Sequence, residues 1–164
     1  MVDDDESLFD LMEKVIVPEF SRRNVAVNEA RDAGGDIAAA LKGEKRILFL
    51  INDMSAFIRA VYSTQYEMSG FFELALEKGF AHKIQFVAAV TPDDWTDMAR
   101  YQVMRQFAGF GRGVHLGGFF DQQTILQFEL SAADSVRQLA PGVGYGLSRE
   151  GRTVRLLTAL VEEE

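Results

Sequence analysis

The residues best placed to do chemistry are Ile47-Leu48-Phe49-Leu50-Ile51-Asn52-Asp53. An apolar strand that ends in an acid can present that acid beside a nucleotide phosphate. There it holds Mg²⁺ through water, and a second acid next to it polarises the attacking water. Asn52 stands where the first acid of such a pair would be, so Asp53 remains alone. The same spacing also describes a buried strand followed by an Asp that caps the next helix, which is the commoner arrangement. No GxxxxGK[ST] occurs in the chain. Without that loop, no row of backbone N–H groups cradles a phosphate and no lysine meets the terminal one. Asp53 alone cannot make a nucleotide site, and the chain is expected to hydrolyse nothing unaided.

Other candidates carry weaker signals. The stretch Gly109–Gly118 is rich in glycine but has no ordered phosphate fingerprint. It reads as a flexible approach and exit around a short strand. Arg112 within it reads as a solvated loop residue. His115 alternates with Val114 and Leu116, and His82 precedes a strand. Both read as structural histidines with satisfied partners. Two histidines and no cysteine cannot build a histidine-rich or thiolate metal centre. Most of the aromatic residues must be core. The adjacent Phe119 and Phe120, beside Asp121, are the pair to watch as a docking surface, although burial is the more ordinary fate of such side chains.

The elements that must position these residues follow from pattern. At 164 residues the chain fits one domain, 1–164, and needs no staples to hold a core. The net charge of −8 argues against nonspecific nucleic-acid binding, which needs a positive face. The absence of cysteine excludes a disulfide scaffold and suits a reducing compartment. No apolar run approaches the length of a membrane span, and the start Met-Val-Asp-Asp-Asp-Glu is not a signal peptide.

Asp3, Asp4 and Asp5 suit a helix start, and Leu8, Leu11, Met12 and Val15 form one apolar face. Pro18 should kink that helix or mark a join. Helix-compatible residues run to Asp32, and Gly34-Gly35 ends them. Residues 36–41 read as a short capped helix. Residues 46–52 and 83–90 read as buried strands, apolar on both faces and therefore covered by helices on each side. Helices are expected over 54–62, 70–78, from Asp93 to about Phe107, 121–128 and 131–139. A short third strand covers 113–116, and 143–147 with 153–160 forms a hairpin. Strands alternating with helices imply an α/β sheet with right-handed crossovers, and the hairpin adds an antiparallel margin.

In this order the segments resemble FtsK/SpoIIIE translocases, and more closely the last motor domain of type VII secretion coupling proteins. LFLINDMSAFIRAVY is similar to the family's Walker B strand, acid pair and helix. HKIQFVAAVTPDD is similar to its histidine-led strand and proline turn. GVHLGGFFDQQTILQF is similar to its strand followed by an Asp-x-x-Thr-Ile-Leu helix, here Asp121, Thr124, Ile125 and Leu126. LAPGVGYGL is similar to its Gly-x-Gly entry to the last hairpin, here Gly142 and Gly144. The similarity runs from about Leu8 onward.

The resemblance implies a P-loop, RecA-like three-layer α/β fold that lacks the phosphate-loop strand and ends in a β-hairpin. It also implies Asp53 and Asn52 at the catalytic position, with Asp53 on Mg²⁺ through water. Thr91 would lie near the γ-phosphate, where translocating members place a glutamine. Gly142 and Gly144 would lie near the base. ATP and Mg²⁺ are expected in the parent assembly at most. The implied setting is a protein-translocating motor at the cytoplasmic face of the cell membrane, anchored through its parent. Its partners would be the other motor domains and WXG-family secreted proteins.

Asn52, the lost glutamine and the missing loop point to a degenerate domain. The alternatives are a docking or regulatory module without nucleotide chemistry, and a DNA translocase, which the acidic charge disfavours. Because the phosphate-loop strand lies mid-sheet in such motors, its absence predicts a rearranged sheet or a homo-oligomer.

Overall fold

The computed structural model describes residues 4–63, 65, 67–120, 125–148 and 150–158. The chain divides into two compact units, Met1–Gln106 and Phe107–Glu164. Each holds its own sheet.

The first unit opens with a long helical segment. α1 (Asp5–Leu11) passes through a π-helical turn (Met12–Ile16) into α2 (Val17–Asp32). Asp4 caps α1 by accepting the Ser7 N–H at 2.7 Å. Pro18 sits in the first turn of α2, and the Val17 N–H just before it bonds to the Met12 carbonyl, five residues back. Pro18 is thus a join between two helices. The widened turn makes room for a ring that would otherwise clash with the preceding turn.

The π turn also resets the helix phase. In a regular α-helix, residues four apart drift by about 40° per step. The added residue cancels that drift, so Leu8, Met12, Ile16 and Phe20 stay on one buried row. Val15, expected on that face, is half exposed instead.

α2 ends in a Schellman motif. The Gly35 N–H reaches the Ala30 carbonyl and the Gly34 N–H the Arg31 carbonyl, with Gly34 at φ +66°. α3 (Ile37–Ala40) follows, capped by Asp36.

β1 (Ile47–Ile51) and β2 (Ile84–Ala88) pair in parallel, with Ile47 opposite Ile84 and Ile51 opposite Ala88. Between them run α4 (Met54–Val61) and α5 (Ser69–Lys78). Ile47, Phe49, Ile84 and Phe86 pack with Phe20, Phe71 and Ala75. Phe49 stacks on Phe86 at 4.9 Å, and Phe72, fully buried, meets Phe49 and Phe57 edge-on.

The opposite face departs from expectation. Leu48, Leu50 and Val87 are exposed, so the pair is covered on one side where helices on both were expected.

α6 (Pro92–Met98) and α7 (Gln102–Gly109) replace the single helix expected from Asp93 to Phe107. The Arg105 side chain donates to the Arg100 carbonyl at 2.6 Å, which holds the break between them.

A buried arginine fastens the first unit. Arg23 is 2% exposed. Its guanidinium donates to the His82 carbonyl at 2.9 Å, the Lys45 carbonyl at 2.9 Å and the Glu19 carboxylate at 2.8 Å. One planar fork thereby ties α2 to the residues that lead into both β1 and β2. His82 is buried against it, stacked on Phe20 at 4.7 Å. Its ring nitrogens face the Lys78 carbonyl and Asn24, which bears out the structural reading of this histidine.

In the second unit β3 (Val114–Phe119), β4 (Gln138–Leu147) and β5 (Thr153–Leu157) form an antiparallel sheet in that order. The third strand therefore belongs to a separate sheet and does not extend the parallel one. α8 (Ala132–Ser135) is shorter than the helix expected over 131–139, because Gln138 and Leu139 are already paired with β3. Ile125–Phe128 is not helical, and the rest of the helix expected there lies outside the described residues. The hairpin between β4 and β5 is present, with residues 159–160 of its expected second strand outside the described residues.

Replacing Arg23 with Leu should cost about 3 kcal/mol in urea unfolding, because it leaves the carbonyls of His82 and Lys45 without their donor and leaves Glu19 with Arg22 alone. Arg23→Lys, which supplies charge without the fork, should recover only part of that loss. Glu19 is held down to about 2 from an ordinary 4.5, first by its hydrogen bonds from Arg22 and then by Arg23. A depressed carboxyl stabilises the fold above its unfolded pKa and loses that contribution as protons bind the folded form. Stability should therefore fall as pH drops from about 4.5 towards 2. Glu19→Gln should flatten that limb of the pH–stability curve.

Candidate functional site

The candidate site forms where β1 and β2 end side by side. Parallel strands deliver their next residues to the same edge, the usual place for ligands in an open α/β sheet. Asn52 and Asp53 follow β1 and are exposed. Thr91 follows β2 and is exposed as well.

Both Asp53 and Thr91 act first as helix caps. Asp53 Oδ1 accepts the Ala56 N–H at 2.8 Å and starts α4. Thr91 Oγ1 accepts the Asp94 N–H at 3.1 Å and starts α6. The caps are cross-linked. Asp94 accepts the Thr91 hydroxyl at 2.7 Å through one oxygen and the Ser55 hydroxyl at 2.7 Å through the other. These bonds, Ser55 first, hold the Asp94 carboxyl below its ordinary range. Ser55 and Asp94 are the residues that sequence reasoning missed. In sequence Asp94 reads only as a helix opener, and nothing there pairs it with a serine 39 residues away.

Beside this crest a cleft of about 780 Å³ runs along β1. All five β1 residues line it, with Asn52, Asp53, Leu8, Leu11, Ala56 and Phe57, and no β2 residue does. Among the described residues, those that line it with charge are Asp4, Asp5 and Asp53. Three carboxylates around one mouth repel a polyphosphate unless a cation bridges them. Asp53 has one carboxylate oxygen left after capping, so Mg²⁺ held here would need phosphate oxygens among its ligands. Among the described residues no group of three or more His, Cys, Asp or Glu can hold a metal ion.

The remaining sequence-predicted residues belong to the second unit. Gly142 lies in β4 at φ +76°, and its carbonyl accepts the Thr158 N–H at 2.7 Å. Gly144 pairs with Leu116 on one side and Leu156 on the other. A Cβ there would stand 2.3 Å from the His115 carbonyl oxygen, so the sheet itself requires this glycine.

Phe119 and Phe120 part company. Phe119 is 42% exposed. Phe120 packs against His115, Phe128 and Tyr145 at centroid distances of 5.1, 5.2 and 6.3 Å. His115 departs from the satisfied reading, since its buried Nε2 has no hydrogen-bond partner. Burial also lowers its pKa. Arg112 is exposed. Asp121 and Thr124 lie outside the described residues.

Among the described residues no helix is long and apolar enough to cross a membrane. The chain matches no family model, no curated protein and no solved structure.

The capping roles can be tested apart from any ligand. Asp53→Ala should destabilise by about 1 kcal/mol, and Asp53→Asn, which still caps, by only a few tenths, read from urea midpoints. Gly144→Ala should unravel the β3–β4 pairing, seen as lost amide protection in β3.

Proposed function

We propose that this chain is a non-hydrolysing, ATPase-like part of a type VII secretion motor, built on an FtsK/SpoIIIE-type P-loop domain. The observation that carries the reading is the parallel pairing of β1 with β2. It sets Asn52-Asp53 and Thr91 on one crest, bridged through Ser55 and Asp94. The family resemblance assigns those positions to the metal-side acid and the γ-phosphate sensor. The third strand stands in a separate sheet, which fits a fold whose middle strand is missing.

In this reading the nucleotide site is completed by a phosphate loop elsewhere in a membrane-anchored parent. Asp53 then offers its free oxygen to a Mg²⁺ already bound to phosphate. Asn52 supplies no charge to polarise water, so turnover is not expected. WXG-family proteins are the proposed cargo.

A second reading has its own support. Asp53 and Thr91 are occupied as caps, and the cleft beside them is apolar and acidic. Those features suit a docking module without nucleotide chemistry.

Calorimetry separates the two. The chain alone should neither bind Mg-ATP in the micromolar range nor turn it over. A parent that supplies a phosphate loop should bind Mg-ATP, and Asp53→Asn should weaken that binding about tenfold while lowering the melting temperature by no more than about 2 °C. A folded, loop-bearing parent that stays silent would remove the nucleotide reading in favour of docking. Turnover by the chain alone would contradict both.

A further inference from the structure

We propose that the free edge of β1 is an interaction surface for a second copy of this chain, joined by antiparallel β1–β1 pairing. The proposal does not depend on the function proposed above.

The Ile47 N–H donates to the Lys83 carbonyl, and the Ala89 N–H donates to the Ile51 carbonyl. In a parallel ladder alternate residues aim both groups at the neighbour, so 47, 49 and 51 face β2. Leu48 and Leu50 therefore aim their N–H and C=O groups away from it. β1 has no other strand neighbour among the described residues. The β2 edge differs, because the outward Ile84 N–H is already bonded to the Gly79 carbonyl.

The side chains of Leu48 and Leu50 are 51% and 73% exposed. An apolar strand with open backbone groups and no charge along it is a template for another strand. The cleft along this edge is lined by Leu8, Leu11, Ala56 and Phe57 as well as by β1 itself.

The occupant follows from charge. Among the described residues, the charged ones that line the cleft are all acidic, so the incoming strand should be apolar with a basic end. This chain's own segment has that chemistry, since Lys45 and Arg46 lead directly into β1. A twofold axis at Phe49 makes the pairing antiparallel. Leu48 then stands opposite the partner's Leu50, Arg46 opposite the partner's Asn52 and Lys45 opposite the partner's Asp53. This register uses the whole strand, sets each outward-facing residue opposite another outward-facing one and puts opposite charges together at both ends.

The test is sedimentation of the full chain over a range of concentrations. The wild type should form a dimer that dissociates on dilution. Leu48→Lys and Leu50→Glu, both at exposed positions, should each weaken dimerisation about a hundredfold. At dilutions where the wild type is itself monomeric, their circular dichroism and melting temperature should match it. An equimolar mixture of the two variants should recover a dimer, because the introduced ammonium then faces the introduced carboxylate across the twofold axis. Leu157→Lys, at an exposed position on β5, should leave the dimer intact.

A wild type that stays monomeric at its highest soluble concentration would overturn the proposal. So would a dimer that only Leu157→Lys disrupts. Two monomeric variants that fail to associate when mixed would overturn the register.

Discussion

The first unit depends on one buried guanidinium. Arg23 reaches from α2 to the carbonyls that lead into both parallel strands, and it is neutralised by Glu19 four residues earlier on the same helix. Burying a charge is costly unless it is paired and its donors are used. Here those conditions are met together, so the helix has one angle and one register at which it can sit. His82 follows from that placement. Its carbonyl is an acceptor for Arg23, and its ring is stacked on Phe20 one turn away. The π turn serves the same end, because it keeps Phe20 in line with Leu8, Met12 and Ile16 while passing Pro18.

With its amino end clamped, the parallel pair presents its carboxyl end as a rigid crest. Its two loops are short and each begins a helix, so their geometry is set by caps. The Ser55–Asp94–Thr91 chain of hydrogen bonds then joins the loops to each other. That rigidity suits either proposed role. A nucleotide would meet a preformed acid, and a protein partner would meet a fixed rim. The acids around the cleft select against polyphosphate without a cation and favour a basic, extended segment.

Parts of this are legible in the sequence. The runs ILFLI and IQFVA are short and apolar, and Asp53 and Thr91-Pro92 behind them carry clear capping signals, so strand, loop and helix start are all readable. Gly34-Gly35 likewise marks the end of α2. Arg23 is not legible, because an arginine among polar residues on a long helix reads as solvated until its acceptors, 22 and 59 residues away, are known. The exposed face of β1 is hidden for a related reason. A both-faces-apolar strand predicts cover on both sides, and here one side of Leu48 and Leu50 has none. The third strand is readable as a strand, but an apolar run does not state its partner. Only the long β4, paired from Gln138 onward, draws it into an antiparallel sheet.

Amide hydrogen exchange on dilute protein tests the central claim most directly, namely a parallel pair clamped at its amino end and open along β1. Exchange reports which backbone donors are held by structure. Strong protection is expected at Ile47, Phe49 and Ile51, whose N–H groups face β2. Leu48 and Leu50 between them should exchange fast. Uniform protection along all five amides at dilution would mean that β1 has a second strand neighbour within the chain, and would contradict that claim.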